Sequence, residues 1–376
     1  MQMTMATAAV VALAAYSVME HQAQVRLRQQ NEALQRQLAD LQKANEQLSA
    51  NVSRATTRLA ASQLVSAPAA LPPTNSATTN LYARFKDGAP WLTPEQLDAF
   101  LQANGRRPAT LLAAYRTGKD LAALREALAK YPNDPQVTFE GATCPWFSED
   151  ERRPWLKAFE QAAPDNALGY YLSAVDDLKT GHTEDALREL AGISGKHFDD
   201  YTQSREQDDV DAYLSAGYSS AEAQTIASAS LILPQVSSVK DLGVRLVDLA
   251  KAYQQAGDQN SAQTVLQMAM NVGQSVGTAS SSSPVLIDQL VGMAIQSRAL
   301  GAMDPNSVYG DNGHTVQQFL NQIDQNRASI RALNQQVKPL MENLSDQDWI
   351  IFMNRRMIFG EVPAMQWVVN KYGQQQ

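Results

Sequence analysis

The sequence predicts an all-α protein, and three observations support that prediction. Ala, Gln, Ser and Leu dominate the composition, while runs of alternating Val, Ile, Thr and aromatic residues are nearly absent. A leucine heptad pattern runs through residues 27–59. From residue 108 onward, apolar residues recur at helical spacing between turns that contain Gly or Pro. We therefore expect an N-terminal apolar helix and a coiled coil, followed by an irregular α-solenoid.

The overall composition excludes several classes of protein. A chain of 376 residues with 44% hydrophobic residues can form one or two domains with a substantial core. Its formal net charge of −8 and the lack of a basic cluster argue against a nucleic-acid partner. Cys144 is the only cysteine, so an intramolecular disulfide is impossible. We expect Cys144 to be a small buried hydrophobe rather than a reactive or metal-bound thiol.

Residues 1–19 are predicted to be a signal peptide or a signal-anchor, with the apolar segment at 3–19. Its centre, Ala6–Tyr16, reads ATAAVVALAAY. That length suits the core of a signal peptide and is marginal for a full membrane span. A buried core helix is the alternative. The stretch Ala12-Leu13-Ala14 has the small-x-small form of a cleavage site, but no Lys or Arg precedes the apolar run. Whether the segment is cleaved, and whether the true start lies upstream, therefore stay open.

The side of the membrane on which the body lies also stays open. The first basic residues, Arg26 and Arg28, follow the apolar segment. The positive-inside rule would then keep the body in the cytoplasm. An N-terminal signal-anchor that exports the remainder is, however, the common bacterial arrangement. We expect a membrane-anchored or exported protein of the bacterial envelope, with the periplasmic side favoured.

Residues 20–61 are predicted to form a coiled coil. The apolar stripe is narrow, and nearly every other position is polar, which suits pairing with an identical stripe. A single amphipathic helix lying on the body is the alternative. Asn31 and Asn45 share one register, which favours a parallel dimer over a trimer. The predicted oligomerisation seam consists of Leu27, Asn31, Leu34, Leu38, Leu41, Asn45, Leu48 and Val52, and it continues through Ala55 to Leu59.

A flexible linker is predicted at residues 62–81. This stretch is rich in Ser, Ala, Thr and Pro, and the pair Pro72-Pro73 opposes a continuing helix. Helix signals begin at Thr93, which with Gln96 can form a capping box before the stop at Gly105. The linker therefore separates the predicted coiled coil from a helical body at residues 82–278.

Two units in the body have the spacing of paired antiparallel helices. Small alanines allow close approach, a glycine lies in each turn, and large apolar residues fill the interface. The predicted repeat core is Tyr170, Ala174, Ala186 and Leu190 in one unit, and Leu246, Leu249, Ala250, Tyr253, Gly257, Ala262 and Leu266 in the other. The pattern resembles the tetratricopeptide repeat (TPR), over residues 108–275. This resemblance implies a TPR-like solenoid with a concave groove; an ordinary irregular helical bundle is the alternative.

Residues 279–376 are predicted to be a C-terminal helical cap. The expected helices are 285–300, 315–326, 328–341, 346–359 and 362–372, and a further helix is expected at 219–233 in the body. Thr183 and Ser345 are expected helix caps, Ser219 and Glu222 are expected to form a capping box at the start of the helix at 219–233, and Pro234 is expected to end that helix. A dense apolar group closes the cap or, alternatively, forms a docking surface; its members are Trp349, Ile350, Phe352, Met353, Ile358, Phe359 and Trp367.

The sequence contains no recognisable catalytic or metal-binding motif. The four histidines are scattered, and no phosphate-binding loop or nucleophile elbow is present. We therefore expect no metal, no cofactor and no enzymatic activity. An enzyme with a cryptic site near Asp311 and His314 is an alternative, although Gly310–His314 is more simply a turn. An acidic patch at Asp208, Asp209 and Asp211 could bind a basic segment, but a solvated face is the simpler interpretation.

These segments together favour an oligomeric scaffold or adaptor. An anchor, a coiled coil, a linker and a helical-repeat body would present a binding surface to an unidentified protein or peptide. In domain order the chain is similar to the periplasmic Tol–Pal-associated cell-division coordinator family. This resemblance implies a function in the cell envelope, but it identifies no partner and no binding residue. A purely structural envelope tether is the alternative in which the body has no binding role.

Overall fold

A computed structural model describes residues 81–85, 88–277, 285–310 and 313–373. The predicted N-terminal segment, the coiled coil with its whole oligomerisation seam, and residues 62–80 of the linker lie outside this part of the chain. Within it the fold is entirely helical, with two isolated β-bridges and no strand. The all-α prediction is therefore confirmed for these residues.

The described residues contain sixteen helices. They are α1 (Leu81–Phe85), α2 (Pro94–Asn104), α3 (Pro108–Gly118), α4 (Leu121–Lys130), α5 (Pro135–Thr143), α6 (Glu149–Ala162), α7 (Ala167–Thr180), α8 (Thr183–Ala191), α9 (Thr202–Ser215), α10 (Ser220–Ser230), α11 (Pro234–Gln255), α12 (Gln259–Gly277), α13 (Leu286–Leu300), α14 (Val316–Met341), α15 (Asp346–Phe359) and α16 (Glu361–Tyr372).

Several helix starts are fixed by the capping residues that the sequence predicts. The Thr93 hydroxyl accepts a hydrogen bond from the Gln96 N–H, and the Gln96 side-chain oxygen accepts one from the Thr93 N–H. Ser219 and Glu222 form the same reciprocal box. Ser345 accepts a hydrogen bond from the N–H of Asp348. Each cap satisfies amide groups that the first helical turn leaves unpaired.

Three helix predictions need correction. Thr183 is the first helical residue of α8, and its side chain does not cap the helix, because the N-cap position belongs to His182. Residues 316–341 form one continuous helix instead of two, since no Gly or Pro interrupts the chain before Pro339. The helix expected at 219–233 ends at Ser230, and Pro234 starts the next helix instead of terminating this one.

The buried side chains form two apolar clusters. The first joins helices α2–α4, α9 and α10 to the C-terminal helices α15 and α16, and the second joins α7, α8 and α11–α13. Contacts are not confined to neighbours in sequence. The indole N–H of Trp349 on α15 donates to the Thr225 hydroxyl on α10, and Arg356 pairs with Glu206 on α9. The last helices therefore complete the first cluster.

The predicted repeat core lies mostly inside the second cluster. Ala174, Ala186, Leu190, Leu246, Ala250, Ala262 and Leu266 are buried, while Leu249, Tyr253 and Tyr170 are only partly buried. Tyr171, the next residue after Tyr170, fills the core instead. Gly257 has a φ of +83°, which suits the tight turn between α11 and α12.

Helices α12 and α13 pack closely through glycine. A Cβ atom on Gly292 would lie 2.5 Å from the carbonyl oxygen of Gly273 and 2.7 Å from the backbone N of Gly277. Because that space is taken by backbone, only a residue without a side chain fits at Gly292. We call this contact, formed by Gly273, Gly277 and Gly292, the glycine interface.

Of the predicted C-terminal apolar group, Trp349, Phe352 and Met353 are buried in the first cluster, whereas Ile358 and Phe359 remain largely exposed. Among the described helices, none combines the length and the apolar character needed to cross a bilayer.

Candidate functional site

Three loops that are distant in sequence meet at one pocket on the first half of the body. The cavity within it measures about 40 Å³, and the space including its opening to solvent is about 500 Å³. We call it the Trp pocket, and it is lined by Trp91, Tyr115, Arg116, Glu140, Thr143, Pro145, Trp146, Arg205, Asp209, Ser230, Leu231, Ile232 and Pro234.

Large apolar side chains form an exposed rim around this pocket. Trp91 is 42% exposed, Trp146 is 50% exposed and Ile232 is 54% exposed. Each belongs to a different loop: before α2, between α5 and α6, and between α10 and α11. Exposed large apolar side chains gathered at one place are a feature of protein interaction sites.

The loop that carries Trp91 is held in place from two sides. The Tyr213 hydroxyl donates a hydrogen bond of 2.9 Å to the carbonyl of Pro90. The Lys119 ammonium lies 4.1 Å from the centre of the Trp91 ring. Lys119 itself has a φ of 58°, an uncommon conformation for a residue with a side chain. The indole is therefore exposed, and contacts within the protein hold it in position.

Trp146 is positioned by the end of α5 and by α3. The Tyr115 ring meets it edge-on, with centroids 5.7 Å apart. The Tyr115 hydroxyl in turn lies 3.5 Å from the Cys144 sulfur. Cys144 is a free, buried thiol, as the sequence predicts. Burial raises the pKa of Tyr115 far above its ordinary value, so the phenol stays neutral.

The floor of the Trp pocket is a buried network of charged side chains. Glu140 Oε1 accepts hydrogen bonds of 2.9 Å from Arg116 Nη1 and from Arg205 Nε. Arg116 Nε also donates to Asp209 Oδ1 at 2.8 Å. The four side chains are each 8% exposed or less. They come from α3, α5 and α9, so the network joins three helices.

Burial and ion pairing shift the pKa values of these charged groups in opposite directions. Burial alone would raise the pKa of Glu140, but Arg205 and Arg116 together hold it below its ordinary value. Burial alone would lower the pKa of Arg116, but Asp209 and Glu140 raise it. For Asp209 burial is the larger influence and raises the pKa above its ordinary value, against the opposing charge of Arg116. Arg116 and Glu140 therefore stay charged.

The network contradicts the simpler interpretation of the acidic patch for Asp209, whereas Asp211 is exposed as that interpretation expects. Asp209 is 4% exposed and bound to Arg116, so it is not part of a solvated face. Asp208 is less buried and lies 3.7 Å from Arg116 Nη2. Sequence reasoning missed this because the partners are separated by 93 residues. Two features of the sequence could have indicated this network: Arg116 directly follows the apolar run 111–115, and Glu140 is the charged residue of the otherwise uncharged helix α5.

One donor in the network has no acceptor. Arg205 Nε is bound to Glu140, and Arg205 Nη2 donates to the carbonyl of Ile232 at 3.3 Å. Arg205 Nη1 is buried and has no hydrogen-bond partner within the described structure. A buried donor without an acceptor is unfavourable, and the guanidinium group that carries it lies over the Phe139 ring, 5.4 Å from the ring centre.

The other candidate positions do not meet at this pocket. His314 lies at the start of α14, where its ring is 3.3 Å from the Gln318 amide oxygen, and Asp311 lies outside the described residues. The predicted repeat core contributes no residue to the lining of the Trp pocket. Over the described ranges, no group of three or more His, Cys, Asp or Glu residues could hold a metal ion.

The fold and the pocket define a helical body with an aromatic-rimmed pocket. No protein-family model, no curated protein and no solved structure matches the chain.

Proposed function

We propose that this protein is a scaffold or adaptor whose helical body binds a protein or peptide in the Trp pocket. The observation that carries the proposal is the rim formed by Trp91, Trp146 and Ile232, which is exposed although it is apolar. Tryptophan and arginine dominate the binding energy of protein interfaces, and here both residue types are combined in one concave site.

The rigidity of the rim supports the same proposal. The contacts to Tyr213, Lys119 and Tyr115 order the two indoles before binding. A partner would then lose less conformational freedom on binding than it would with mobile side chains on both surfaces. The charged floor supplies polar groups that can fix the orientation of a bound segment.

The wider architecture remains part of this proposal. The seam from Leu27 to Val52 supports a parallel dimer, or a trimer, that would hold several bodies together. The apolar segment at 3–19 supports a membrane-anchored or exported protein on the periplasmic side, and the repeat spacing supports a TPR-like solenoid. An oligomer with several pockets would bind a multivalent partner more tightly than one body could.

Site-specific photocrosslinking in the native cells tests the pocket. Ile232 is replaced by p-benzoyl-phenylalanine in the full chain, and the control replaces Val308, which is 67% exposed and distant in sequence. We expect a protein adduct from position 232 that Trp146→Ala abolishes, and no such adduct from position 308. An adduct that is unaffected by Trp146→Ala, or equal at both positions, would contradict the proposal and favour a purely structural tether.

Sedimentation equilibrium tests the oligomer. Residues 20–376 are expected to self-associate through the heptad seam, whereas residues 82–376 are expected to be monomeric. A monomeric 20–376 chain at micromolar concentration would eliminate the coiled coil, and a dimeric 82–376 chain would place the contact in the helical body. Replacing Asn31 and Asn45 by Leu should raise thermal stability but relax the control of strand number.

A further inference from the structure

Helix α12 presents a row of uncharged polar side chains to solvent. None of its 19 residues is charged, whereas the neighbouring helix α11 has five charged residues among its 22. Charged side chains are depleted where a partner covers a surface, because a covered charge loses its hydration. The exposed face of α12 therefore has the composition of an interface. Six exposed polar residues lie along it: Gln259, Asn260, Gln263, Thr264, Gln267 and Asn271.

Two walls turn this face into a groove. On one side the end of α8 and Ser194 border a space of about 550 Å³, and on the other side the segment 302–310 borders a space of about 610 Å³. Gln263 and Gln267 line both spaces, so the row of amides runs between the walls. Among the described residues that line either space, Asp304 is the only charged one. We call the two spaces together the amide groove.

The side-chain amides of the row are available to a ligand. Within the described residues, those of Gln259 and Gln263 form no hydrogen bond. The Gln267 amide donates to Asn271 Oδ1 at 2.9 Å, and its oxygen accepts from the Tyr309 hydroxyl at 3.4 Å. Both contacts are exposed, so a bound chain can replace them with bonds of its own. A side-chain amide has donors and an acceptor, and these complement the two groups that each residue of a peptide backbone offers.

The spacing of the row matches an extended peptide. Gln259, Gln263, Gln267 and Asn271 are each four residues apart, which corresponds to about 6 Å along an α-helix. In an extended chain, every second residue turns its N–H and C=O to the same edge, with a repeat of about 6.6 Å. Flexible glutamine side chains can absorb the difference of about 0.6 Å per step. An extended segment of about six residues would therefore meet successive amides.

An oligosaccharide is the main competing ligand, because its hydroxyl groups also bond to amides. Among the described residues that line the groove, Tyr309 is the only aromatic one, and its ring meets Phe319 edge-on with centroids 5.6 Å apart. The groove therefore offers at most one aromatic ring on which a sugar could stack. The half-buried side chains of Met268 and Met303 instead suit the apolar side chains of a peptide.

We infer that the amide groove binds an extended, uncharged segment of a protein through its backbone, with Gln259, Gln263 and Gln267 pairing with the N–H and C=O groups of alternate residues. The amide groove shares no lining residue with the Trp pocket. The helical body thus has a second binding site, whose neutral amides differ in chemistry from the apolar rim of the first.

Methyl NMR of the full chain with labelled methionine methyl groups tests this inference. The chain has 12 methionines, and single Met→Leu variants assign their signals. The probe is acetyl-Thr-Val-Thr-Val-Thr-amide, an uncharged peptide whose β-branched residues favour the extended conformation. At millimolar concentration we expect it to shift the signals of Met268 and Met303, while that of Met353, buried in the first cluster, stays unchanged. Unchanged signals of Met268 and Met303 would overturn the inference.

Two further probes identify the groups that bind. The same peptide with N-methyl groups on both valines keeps its side chains but loses two N–H donors, and we expect it to bind about fivefold more weakly. Chitotetraose supplies hydroxyl and acetamide groups without a peptide backbone, and we expect it to shift neither signal. Equal binding of the N-methylated peptide would overturn the backbone contact. Chitotetraose binding as tightly as the peptide would make the groove a carbohydrate site and would overturn the inference.

A charge variant tests the row of amides itself. Gln263→Glu keeps the shape of the side chain but replaces the amide donors by a negative charge, and we expect it to weaken peptide binding about fivefold. Gln335→Glu makes the same change at an exposed position of α14 outside the groove, and this control should bind like wild type. Both positions are exposed, so the melting temperatures should match that of wild type. Undiminished binding by Gln263→Glu would contradict the inference.

Failure of this inference can be distinguished from failure of the proposed function. If the peptide shifts neither methionine but position 232 gives a Trp146-dependent adduct in cells, the amide groove is not a peptide site and the Trp pocket keeps its role. Val308 lines the amide groove, so a partner held there would give an adduct from position 308 that Trp146→Ala leaves unchanged and Gln263→Glu weakens.

Discussion

Two regions of the body join helices by opposite means. At the floor of the Trp pocket, α3, α5 and α9 are connected by buried arginines and carboxylates, centred on Glu140. At the glycine interface, α12 and α13 meet through bare backbone, with Gly292 against Gly273 and Gly277. The first arrangement depends on hydrogen-bond geometry, and the second depends on the absence of side-chain volume.

This difference between the two regions supports the proposed binding role of the Trp pocket. Buried charges cost hydration energy, and apolar side chains of similar size often stabilise a fold as well or better. Stability alone therefore explains the glycine interface more readily than it explains the charged floor. The charged floor also lies directly below an exposed aromatic rim, whereas the second cluster places its apolar residues inside.

The largest effect is expected from breaking the charged floor. Arg116→Met should lower the free energy of unfolding by about 3–5 kcal/mol, because it leaves Asp209 and part of Glu140 buried without their counter-charge. Urea unfolding followed by circular dichroism measures this loss. Arg153→Met is the control, since Arg153 forms only exposed ion pairs, and it should change stability by about 1 kcal/mol or less. If Arg116→Met and Arg153→Met had equal effects, the buried network would contribute no more to stability than exposed ion pairs do.

Adding one methyl group to the glycine interface should be the next most damaging change. Gly292→Ala is expected to cost about 1–3 kcal/mol, because the new Cβ would press on the backbone of the facing helix. Gly277→Ala is the matched control, since its Cβ would have its nearest neighbour at 3.7 Å, an ordinary contact. The same urea experiment should show a loss of stability for the first variant only.

A pH experiment compares the buried carboxyl group of Asp288, which is not paired with a cation, with the carboxyl groups of the charged floor, which are paired with arginine. Asp288 on α13 is buried, its Oδ1 has no hydrogen-bond partner within the described structure, and burial, with nearby Asp200, raises its pKa to about 7. A raised folded-state pKa contributes stability that is lost as pH rises through 7. Wild-type protein should lose about 2 kcal/mol between pH 5 and pH 7 relative to Asp288→Asn. A parallel pH dependence of the two proteins would contradict this.

The contribution of Glu140 to stability should change with pH in the opposite direction to that of Asp288. Its pKa is lowered in the folded protein, so its contribution is present above its unfolded-state pKa and is lost as pH falls. Urea unfolding should therefore show that wild-type protein loses stability relative to Glu140→Gln as pH falls from 5 to 3; the comparison with this variant cancels the contribution of Asp209, whose raised pKa acts with the opposite sign.

The smallest effect on stability is expected from the rim. Trp146→Ala should lower the free energy of unfolding by about 1 kcal/mol, because half of this side chain is already exposed and the main loss is its edge-on contact with Tyr115. Thermal unfolding measures this change, and the crosslink from position 232 measures binding. Loss of the adduct with a nearly unchanged melting temperature would show that the rim serves binding and contributes little to folding.

Local features of this fold could be predicted from the sequence, and long-range ones could not. The capping pairs Thr93–Gln96 and Ser219–Glu222 were predictable because each involves residues three apart. The contact between Arg116 and Asp209 was not, because nothing in a single sequence shows which helices pack together. The Trp pocket was missed for the same reason, since its rim combines three separate loops. A charged residue beside an apolar run was the only hint.

The contact of α15 with α9 and α10 has a consequence for folding during synthesis, because the chain is made from its N-terminus. Residues 346–359 pair with residues emerging more than a hundred positions earlier, through Trp349 with Thr225 and Arg356 with Glu206. At a synthesis rate of about 5–20 residues per second, the first cluster stays incomplete for roughly 6–30 seconds after α10 is made. During that interval the apolar side chains awaiting α15 remain open to water, and to whatever binds nascent chains.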